Sequence, residues 1–310
     1  MKRNAIALLV TISFVTVIMT LIGISSNLVG NSFKHVAAKH ALIQNDILFS
    51  DITDILKEVS SDINDSIGLD IFLSIPLFFE NKQNGLSVDI AFESDASGIN
   101  INHLLKDMNT SKKKRSDQPI PLNPPYEEYF ERILTVYNIS DKILFLSMIA
   151  DTLDNDLEER MPGSEIALEN PFFKQGHIYN LRHFKKIMSA YKKQTLDFNI
   201  DTVPWKELIG FNADNIDFNQ IGPEVLQHLA PEIDPESTPS YTSNKVDLYE
   251  SLDDIPLEEE TKKRLKEMNM QFYSPYVFAT MNIKNGDNKE QIVFTYNLRD
   301  KKVSNIEVTD

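Results

Sequence analysis

The 310-residue chain is strongly acidic. It has 31 Lys and Arg residues against 46 Asp and Glu residues, a formal charge of -15, and no cysteine. The negative charge argues against a nucleic-acid binder, because affinity for a phosphate backbone comes mainly from Lys and Arg. Without cysteine there are no disulfides, thiolate zinc sites or cysteine nucleophiles. At 42% hydrophobic and 25% charged residues, the composition is that of a globular protein of one or two domains.

The N-terminus combines a short basic leader with a long apolar run. Residues 1–5 carry Lys2 and Arg3, and residues 6–24 contain no charge. A helix of that length spans roughly 30 Å, the thickness of the hydrocarbon core of a bilayer. The run is longer than the apolar region of a cleaved secretory signal and ends in a poor cleavage site. It therefore favours a membrane-spanning helix with its basic end in the cytoplasm.

Apolar residues continue at helical spacing beyond this run. They recur from Val29 to Ile63 in steps of mostly three and four, and no proline interrupts residues 1–75. The pattern predicts one continuous helix over residues 6–65, roughly 90 Å long, with its first half in lipid and its second half packed on a soluble domain. A short basic leader with such a continuous helix is typical of type IV pilins and pseudopilins. A generic single-pass anchor gives no reason for the continuity.

Strand patterns precede and follow a helical middle. β-branched and aromatic residues predict early strands at 71–80 and 87–93, and late strands over Tyr276 to Ile283, Gln291 to Asn297 and Lys302 to Val308. Helical patterns, several with a start signal at Ser, Asp or Pro, occupy Tyr126 to Tyr137, Lys142 to Leu153, Leu181 to Tyr191, Pro204 to Ile209 and Pro223 to Leu229. We therefore predict an α+β fold in which a large all-helical domain is inserted between strands of one small antiparallel sheet.

Linker-like segments set the predicted boundaries of the insertion. Residues 109–125 contain four basic residues in a row and several prolines, and residues 231–244 are rich in Pro, Ser and Thr. The basic tetrad is interpreted as a solvated turn. The predicted organisation is a leader at 1–5, the long helix at 6–65, the first part of the sheet at 66–108, the helical domain at 109–245, and a helix with the completing strands at 246–310.

An acidic stretch at residues 154–165, DNDLEERMPGSE, carries the most specific chemistry of the sequence. Asp154, Asp156 and Glu158 alternate, and Glu165 closes the stretch at its twelfth position, as in an EF-hand calcium loop, where position 7 contributes a backbone carbonyl and is here Arg160. Glu159 replaces the turn glycine of an EF-hand. Clustered carboxylates repel one another unless they are solvated or bound to a divalent cation. A calcium site and a solvated acidic loop therefore both remain open.

Motifs for catalysis are missing from the sequence. The six histidines show no HExxH spacing, and there is no GxSxG elbow, no GxxxxGK[ST] phosphate loop and no GxGxxG. Trp205, the only tryptophan, is expected to be a core residue of the helical domain. We predict that the protein is not an enzyme.

Four segments, taken in order, resemble the K-type minor pseudopilins of the type II secretion system. Residues 2–9, KRNAIALL, look like the family's basic leader and "GxALL" start. Residues 94–104, SDASGININHL, are similar to its "sGriNlNaL" element. Residues 149–165 resemble its "iDWxDxDxxxRxxGaE" stretch. Residues 216–226, which include IDFN and PEVL, resemble its "iNvNtAspeVL" element.

The resemblance implies a pilin-like fold, a long N-terminal helix on a small antiparallel sheet, with calcium bound at the acidic stretch. The ligands implied by the resemblance are Asp154, Asp156, Glu158 and Glu165, and the EF-hand spacing adds the backbone carbonyl of Arg160 as a further metal residue. The implied partners are the I-type and J-type minor pseudopilins, the major pseudopilin and a prepilin peptidase. The protein would be a single-pass inner-membrane protein whose C-terminal domain caps a pseudopilus tip in the periplasm and helps to initiate its assembly.

The leader gives this resemblance a physical check. Cleavage between Ala5 and Ile6 would make Val10 the fifth mature residue, where fibre-forming pilins usually carry a Glu that pairs with a neighbouring subunit's amine. A tip subunit has no neighbour above it, so an apolar residue there avoids an unpaired charge in lipid. Ala5 replaces the usual Gly before the cut, and Thr152 replaces the family's tryptophan. A minor pilin of a type IV pilus and a membrane-anchored periplasmic binding or sensory module remain alternatives.

Overall fold

A computed structural model describes residues 47–75, 77–81, 86–106, 120–242, 248–285 and 288–309. The chain divides into two compact units, residues 1–56 and 57–310, and the described part of the first unit is helical. This helix, α1, covers residues 47–59 and is followed by a 3-10 turn at Ser60–Asp62, so it ends a few residues before the predicted end of the long helix at residue 65. The remainder of that helix, including the predicted membrane span at 6–24, lies outside the described residues. Within the described ranges, no helix is both long and apolar enough to cross a membrane.

The described helices and strands follow one another along the chain with few long loops. After α1, the helices are α2 (Ser66–Ser74), α3 (Pro124–Val136), α4 (Lys142–Leu153), α5 (Ile166–Glu169), α6 (Leu181–Thr195), α7 (Trp205–Leu208), α8 (Pro223–Leu229), α9 (Thr238–Tyr241) and α10 (Glu259–Glu267). The strands are β1 (Leu77–Asn81), β2 (Leu86–Ser94), β3 (Ile99–Asn100), β4 (Ile209–Gly210), β5 (Ile216–Asp217), β6 (Met270–Gln271), β7 (Tyr276–Asn285), β8 (Asn288–Asn297) and β9 (Lys302–Thr309).

Five of these strands form one antiparallel sheet in the order β1-β2-β7-β8-β9. In β2, Val88, Ile90 and Phe92 are buried and alternate with exposed residues, so one face of the strand packs on the core. Ser94 at the end of β2 pairs with Val277 in β7. The early and late strands are thus direct neighbours, which confirms the α+β class and the single sheet predicted from the two ends of the domain.

The predicted strand at residues 71–80 is wrong in its first half. Residues 66–74 form α2, and only Leu77–Asn81 is a strand. The Asp65 side chain caps the helix by accepting a hydrogen bond of 2.8 Å from the Gly68 amide. Phe72 in turn packs on Phe92 of β2, with their ring centroids 4.7 Å apart. The cap and this tertiary contact outweigh the strand preference of the isoleucines and phenylalanine.

The helices of residues 120–242 surround a large apolar core. Phe145 contacts Phe184, Tyr191 and Trp205 through ring pairs 5.2 to 6.0 Å apart, and all four side chains are buried. Trp205 is therefore a core residue, as predicted. The inserted region is not all-helical, however. Its short strands β4 and β5 form two-residue parallel ladders with β3 and β6, which lie before and after the insertion.

Two asparagines, the partly buried Asn102 and the buried Asn219, tie neighbouring chain segments together. Asn102 exchanges hydrogen bonds of 2.8 and 3.0 Å with the backbone of Ile178, and also donates to the Phe211 carbonyl at 2.9 Å. Asn219 acts in the same way on the Tyr249 backbone and donates to the Phe272 carbonyl at 3.0 Å. Each amide satisfies backbone groups that have no strand partner. The asparagines of the family-like elements at 94–104 and 216–226 are thus structural ties.

Gly98 is required where β3 meets β4. A Cβ atom at this position would lie 2.6 Å from the carbonyl carbon of Ile209, which no side chain can tolerate without movement of the backbone. The close approach allows Ile99 to pair with Ile209 at the entrance to the helical region. The glycine of the 94–104 element therefore has a packing role.

Candidate functional site

The acidic stretch forms a partly buried cluster at the C-terminal end of α4. Asp151 lies in the last turn of α4 and Asp154 is its C-cap, and both are buried, with 0% and 6% of the residue exposed. The carboxylates therefore lie at the negative end of the helix, where the helix dipole disfavours anions. A compensating cation is needed at this position.

The Arg160 side chain provides one such cation. Its Nε lies 2.8 Å from Asp151 Oδ1, and its Nη2 lies 2.9 Å from Asp154 Oδ2. The third guanidinium nitrogen donates to the Ile120 carbonyl at 2.7 Å, and the backbone amide of Arg160 donates to Asp151 Oδ2 at 3.1 Å. The sequence predicted a role for the Arg160 carbonyl. In the structure, the guanidinium is the group that contacts the acidic residues.

Glu165 and Ser164 complete the buried part of the cluster. Ser164 Oγ donates to Asp151 Oδ2 at 2.5 Å. Glu165, only 2% exposed, caps α5 by accepting from the Ala167 amide at 2.9 Å through Oε1. Three buried carboxylate oxygens, Asp151 Oδ1, Asp154 Oδ1 and Glu165 Oε2, have no hydrogen-bond partner among the described residues, and of these only Asp151 Oδ1 has an ion-pair contact, with Arg160 Nε. Unsatisfied buried oxygens of this kind are costly unless they bind a water or a cation.

Burial and mutual repulsion raise the pKa of these carboxyls. Burial raises the pKa of Asp154 to about 6, with a contribution from Asp156 that the contact with Arg160 opposes. The pKa of Glu165 rises to about 7, first through burial and then through the charges of Asp151, Asp154 and Asp156. Burial also raises the pKa of Asp151. The cluster contains three buried carboxylates and one guanidinium, which contacts two of them, so it carries a charge of about -2 when it is fully ionised.

The remaining predicted ligands lie at the surface. Asp156 is exposed, and its Oδ1 accepts from the Glu158 amide at 2.9 Å. The Glu158 side chain is exposed as well. In the part of the chain that the structure describes, no three carboxylate, imidazole or thiol side chains are arranged to hold a metal ion together. The structure thus brings together Asp154, Arg160 and Glu165, and it leaves Asp156 and Glu158 at the rim.

Sequence reasoning missed Asp151 as a member of this cluster. It precedes Asp154 by three residues, one turn of α4, so that both carboxylates lie on the same side of the helix end. That spacing was a usable signal. Ser164 offered none, because it reaches Asp151 through a turn in which Gly163 adopts a φ of +84°.

The surrounding loops fix the position of the cluster. The Gly176 amide donates to the backbone carbonyls of Thr152 and Asp154 at 2.9 and 3.1 Å. Gln175 Nε2 donates to the Asp156 carbonyl at 2.9 Å. The backbone around the acidic residues is therefore held from two sides. The predicted processing residues Ala5, Ile6 and Val10 lie outside the described residues.

Comparison with known proteins shows a similarity to solved structures. No protein-family model and no curated protein matches the sequence. Among solved structures, the chain is similar to a chain of the GspK-GspI-GspJ complex from the enterotoxigenic Escherichia coli Type 2 Secretion System, with a TM-score of 0.53 and 12% identity. The similarity covers 88% of this chain and 99% of that chain. The chain therefore has a GspK-like fold, and the resemblance to K-type minor pseudopilins is confirmed at the level of the fold.

Proposed function

We propose that the protein is a minor pseudopilin of a type II secretion system that assembles with I-type and J-type minor pseudopilins. The observation that carries this proposal is the similarity to a chain of the GspK-GspI-GspJ complex over 99% of that chain. The likeness includes both the sheet and the inserted helices, so it is not a match to a common helical hairpin or sheet alone.

Its place would be the tip of the pseudopilus, in the periplasm, with the leader removed by a prepilin peptidase and the apolar segment in the inner membrane. The bulk of residues 120–242 supports this position. A fibre of stacked subunits has limited space above each sheet, and a helical insertion with its own core needs space that only a terminal subunit has. Val10 at the predicted fifth mature position supports the same placement.

A co-purification experiment tests the assembly. The tagged full-length chain is expressed in membranes with the I-type and J-type proteins and the prepilin peptidase of the same genome. We expect a three-protein complex and a mature N-terminus at Ile6. A matched control joins residues 1–30 to an unrelated periplasmic domain, and this control should be processed without binding the other two proteins.

Two outcomes would contradict the proposal. An intact Lys2 and Arg3 leader, together with no partner, would favour a membrane-anchored binding or sensory module. Exclusive assembly with minor pilins of a type IV pilus would assign the chain to that system.

We also propose that the acidic cluster binds calcium. Asp154 Oδ1 and Glu165 Oε2, both buried without hydrogen-bond partners, would supply side-chain oxygens. Asp156, which is close enough to raise the pKa of both residues, would turn inward from the rim to complete the ligand set when the ion binds, because no three carboxylates among the described residues are already arranged to hold a metal. Arg160 would keep Asp151 and one oxygen of Asp154 in place. A bound divalent cation would neutralise the remaining charge of the cluster.

Thermal unfolding in calcium and in chelator tests the metal site. A ligand that binds only the folded state stabilises it by about 2.7 kcal/mol at a hundredfold excess over Kd. We expect Asp156→Asn to reduce this shift strongly, while Glu169→Gln, a control at an exposed ion pair with Lys193, should retain it. Equal melting temperatures of the parent protein in calcium and in chelator would refute the site.

A further inference from the structure

A basic surface stands out on this acidic protein. Helix α6 carries Arg182, Lys185, Lys186, Lys192 and Lys193 and contains no acidic residue, although the whole chain has a charge of -15. The opposite face of α6 packs into the core through Phe184, Ile187, Met188 and Tyr191. The helix therefore presents its positive charges outward from a rigid position.

Part of this surface is a groove between α6 and residues 201–206. It has a volume of about 460 Å³. Lys185, Ser189 and Lys192 follow one another along one side of α6 at intervals of four and three residues, and Lys206 lies across from them. Apolar side chains also line the groove, namely Leu181, Met188, Val203, Pro204 and Trp205. We call this feature the basic groove.

The charge of the basic groove is not balanced internally. Lys192 Nζ lies 2.7 and 2.9 Å from the two carboxylate oxygens of Asp201, which neutralises one amine. Lys185 and Lys206 form no ion pair with any residue in the described ranges. Asp201 is the one acidic side chain among the described residues that line the groove. Together with the three lysines of the lining, it gives the basic groove a net charge of about +2.

We propose that the basic groove binds an acidic segment of a partner protein, in which carboxylates alternate with apolar side chains. The amines would contact the carboxylates, and the apolar side chains would pack on the half-buried Leu181 and Pro204. A concave surface of this kind favours a peptide segment over a bilayer, whose plane could reach the rim of the groove but not its apolar floor. The residues that line the basic groove are separate from those of the acidic cluster.

Binding of a defined probe to the full-length, detergent-solubilised chain tests the proposal. The probe is a short peptide that alternates Asp or Glu with Leu or Ile, compared with the same peptide carrying Asn and Gln. We expect the acidic peptide to bind at least tenfold more tightly than the neutral one and to weaken as salt is added. Replacement of Lys185 and Lys206 together by Glu should reduce its affinity at least tenfold.

A second pair of substitutions separates the groove from general charge. Lys186→Glu combined with Lys263→Glu changes the net charge equally, and neither side chain lines the groove. This control should keep the parent affinity. Because the chain has no cysteine, a fluorescent label at Ser189→Cys gives a separate signal from within the groove. We expect that signal to change with the acidic peptide alone.

Several results would overturn the assignment. Equal loss of binding in the groove pair and the control pair would indicate a non-specific charge effect. Equal affinity for the acidic and neutral peptides would exclude the role of the lysines. Competition by inorganic phosphate, or tighter binding to vesicles of phosphatidylglycerol than to the peptide, would assign the groove to a small anion or to lipid instead. An unperturbed thermal unfolding curve for the Lys185 and Lys206 variant ensures that loss of binding is not loss of fold.

Discussion

Replacing Glu165 by Gln tests whether the buried charge of the acidic cluster destabilises the folded state, and whether a bound cation removes that destabilisation. The Glu165 carboxyl is 2% exposed, and its pKa rises from 4.5 to about 7. At 1.36 kcal/mol per pKa unit, ionised Glu165 destabilises the folded state by roughly 3 kcal/mol. Because the pKa is raised in the folded state, the carboxyl is protonated in both states below about pH 4.5 and costs no stability there. The unfolding free energy falls as the pH rises from 4.5 through 7, where the buried carboxyl must ionise.

The substitution should remove this pH dependence. In chelator, the unfolding free energy of Glu165→Gln relative to the parent should increase by roughly 3 kcal/mol between pH 4.5 and pH 8. The new amide group leaves a buried N–H without a partner, which costs about 1–3 kcal/mol, but that cost is the same at every pH. The test therefore compares how the unfolding free energies of the two proteins change with pH, not their values at one pH.

Urea unfolding followed by tryptophan fluorescence is a direct assay. Trp205 is the only tryptophan, is 3% exposed and donates to the Ile200 carbonyl at 2.9 Å, so its emission reports on the same helical core. Glu169→Gln, at the surface, should show the parent slope. With calcium at pH 8 the parent should gain stability and Glu165→Gln should not. A flat difference between Glu165→Gln and the parent across pH would refute the reasoning.

Three further substitutions have expected outcomes in urea unfolding. Arg160→Met removes two buried ion pairs and the hydrogen bond to the Ile120 carbonyl, and should lower the unfolding free energy by about 3–5 kcal/mol; a loss below 1 kcal/mol would mean that the carboxylates are solvated. Asn219→Leu should cost about 2–4 kcal/mol and speed amide exchange in the backbone segments it ties, whereas unchanged exchange would contradict its role. Gly98→Ala should lower the unfolding free energy by about 1–3 kcal/mol, whereas Gly222→Ala should be nearly neutral because no atom lies near the position of its Cβ. Equal effects of the two substitutions would argue against the close approach at Gly98.

The sequence was most informative where local signals and tertiary structure agree. The predicted bounds of the α4 and α8 helices match the structure, because Asp141 caps the first and Pro223 starts the second. The alternating pattern of β2 was equally clear, since one of its faces is buried. The two-residue strands β3 to β6 could not be predicted, because two residues have no periodicity and depend on chain segments far away in sequence.

The candidate site was predicted in part for a similar reason. Spacing brought attention to Asp154 and Glu165, which the structure places in the buried cluster. It could not show that the Arg160 side chain turns inward, because that depends on the Ile120 carbonyl forty positions earlier. Nor could spacing separate Asp154, which is buried and paired with Arg160, from Asp156, which is exposed.

The pairing of β2 with β7 also constrains how the chain reaches its native state. Ser94 pairs with Val277, so the centre of the sheet can form only after the whole helical insertion has been synthesised. At about 5–20 residues per second, the delay is on the order of ten seconds or more. During this time the β1–β2 hairpin, with Phe78 and Phe79, has no neighbouring strand on its β2 side. The early strands therefore keep an unpaired edge until β7 is synthesised, whereas the local contacts of the helices can form first.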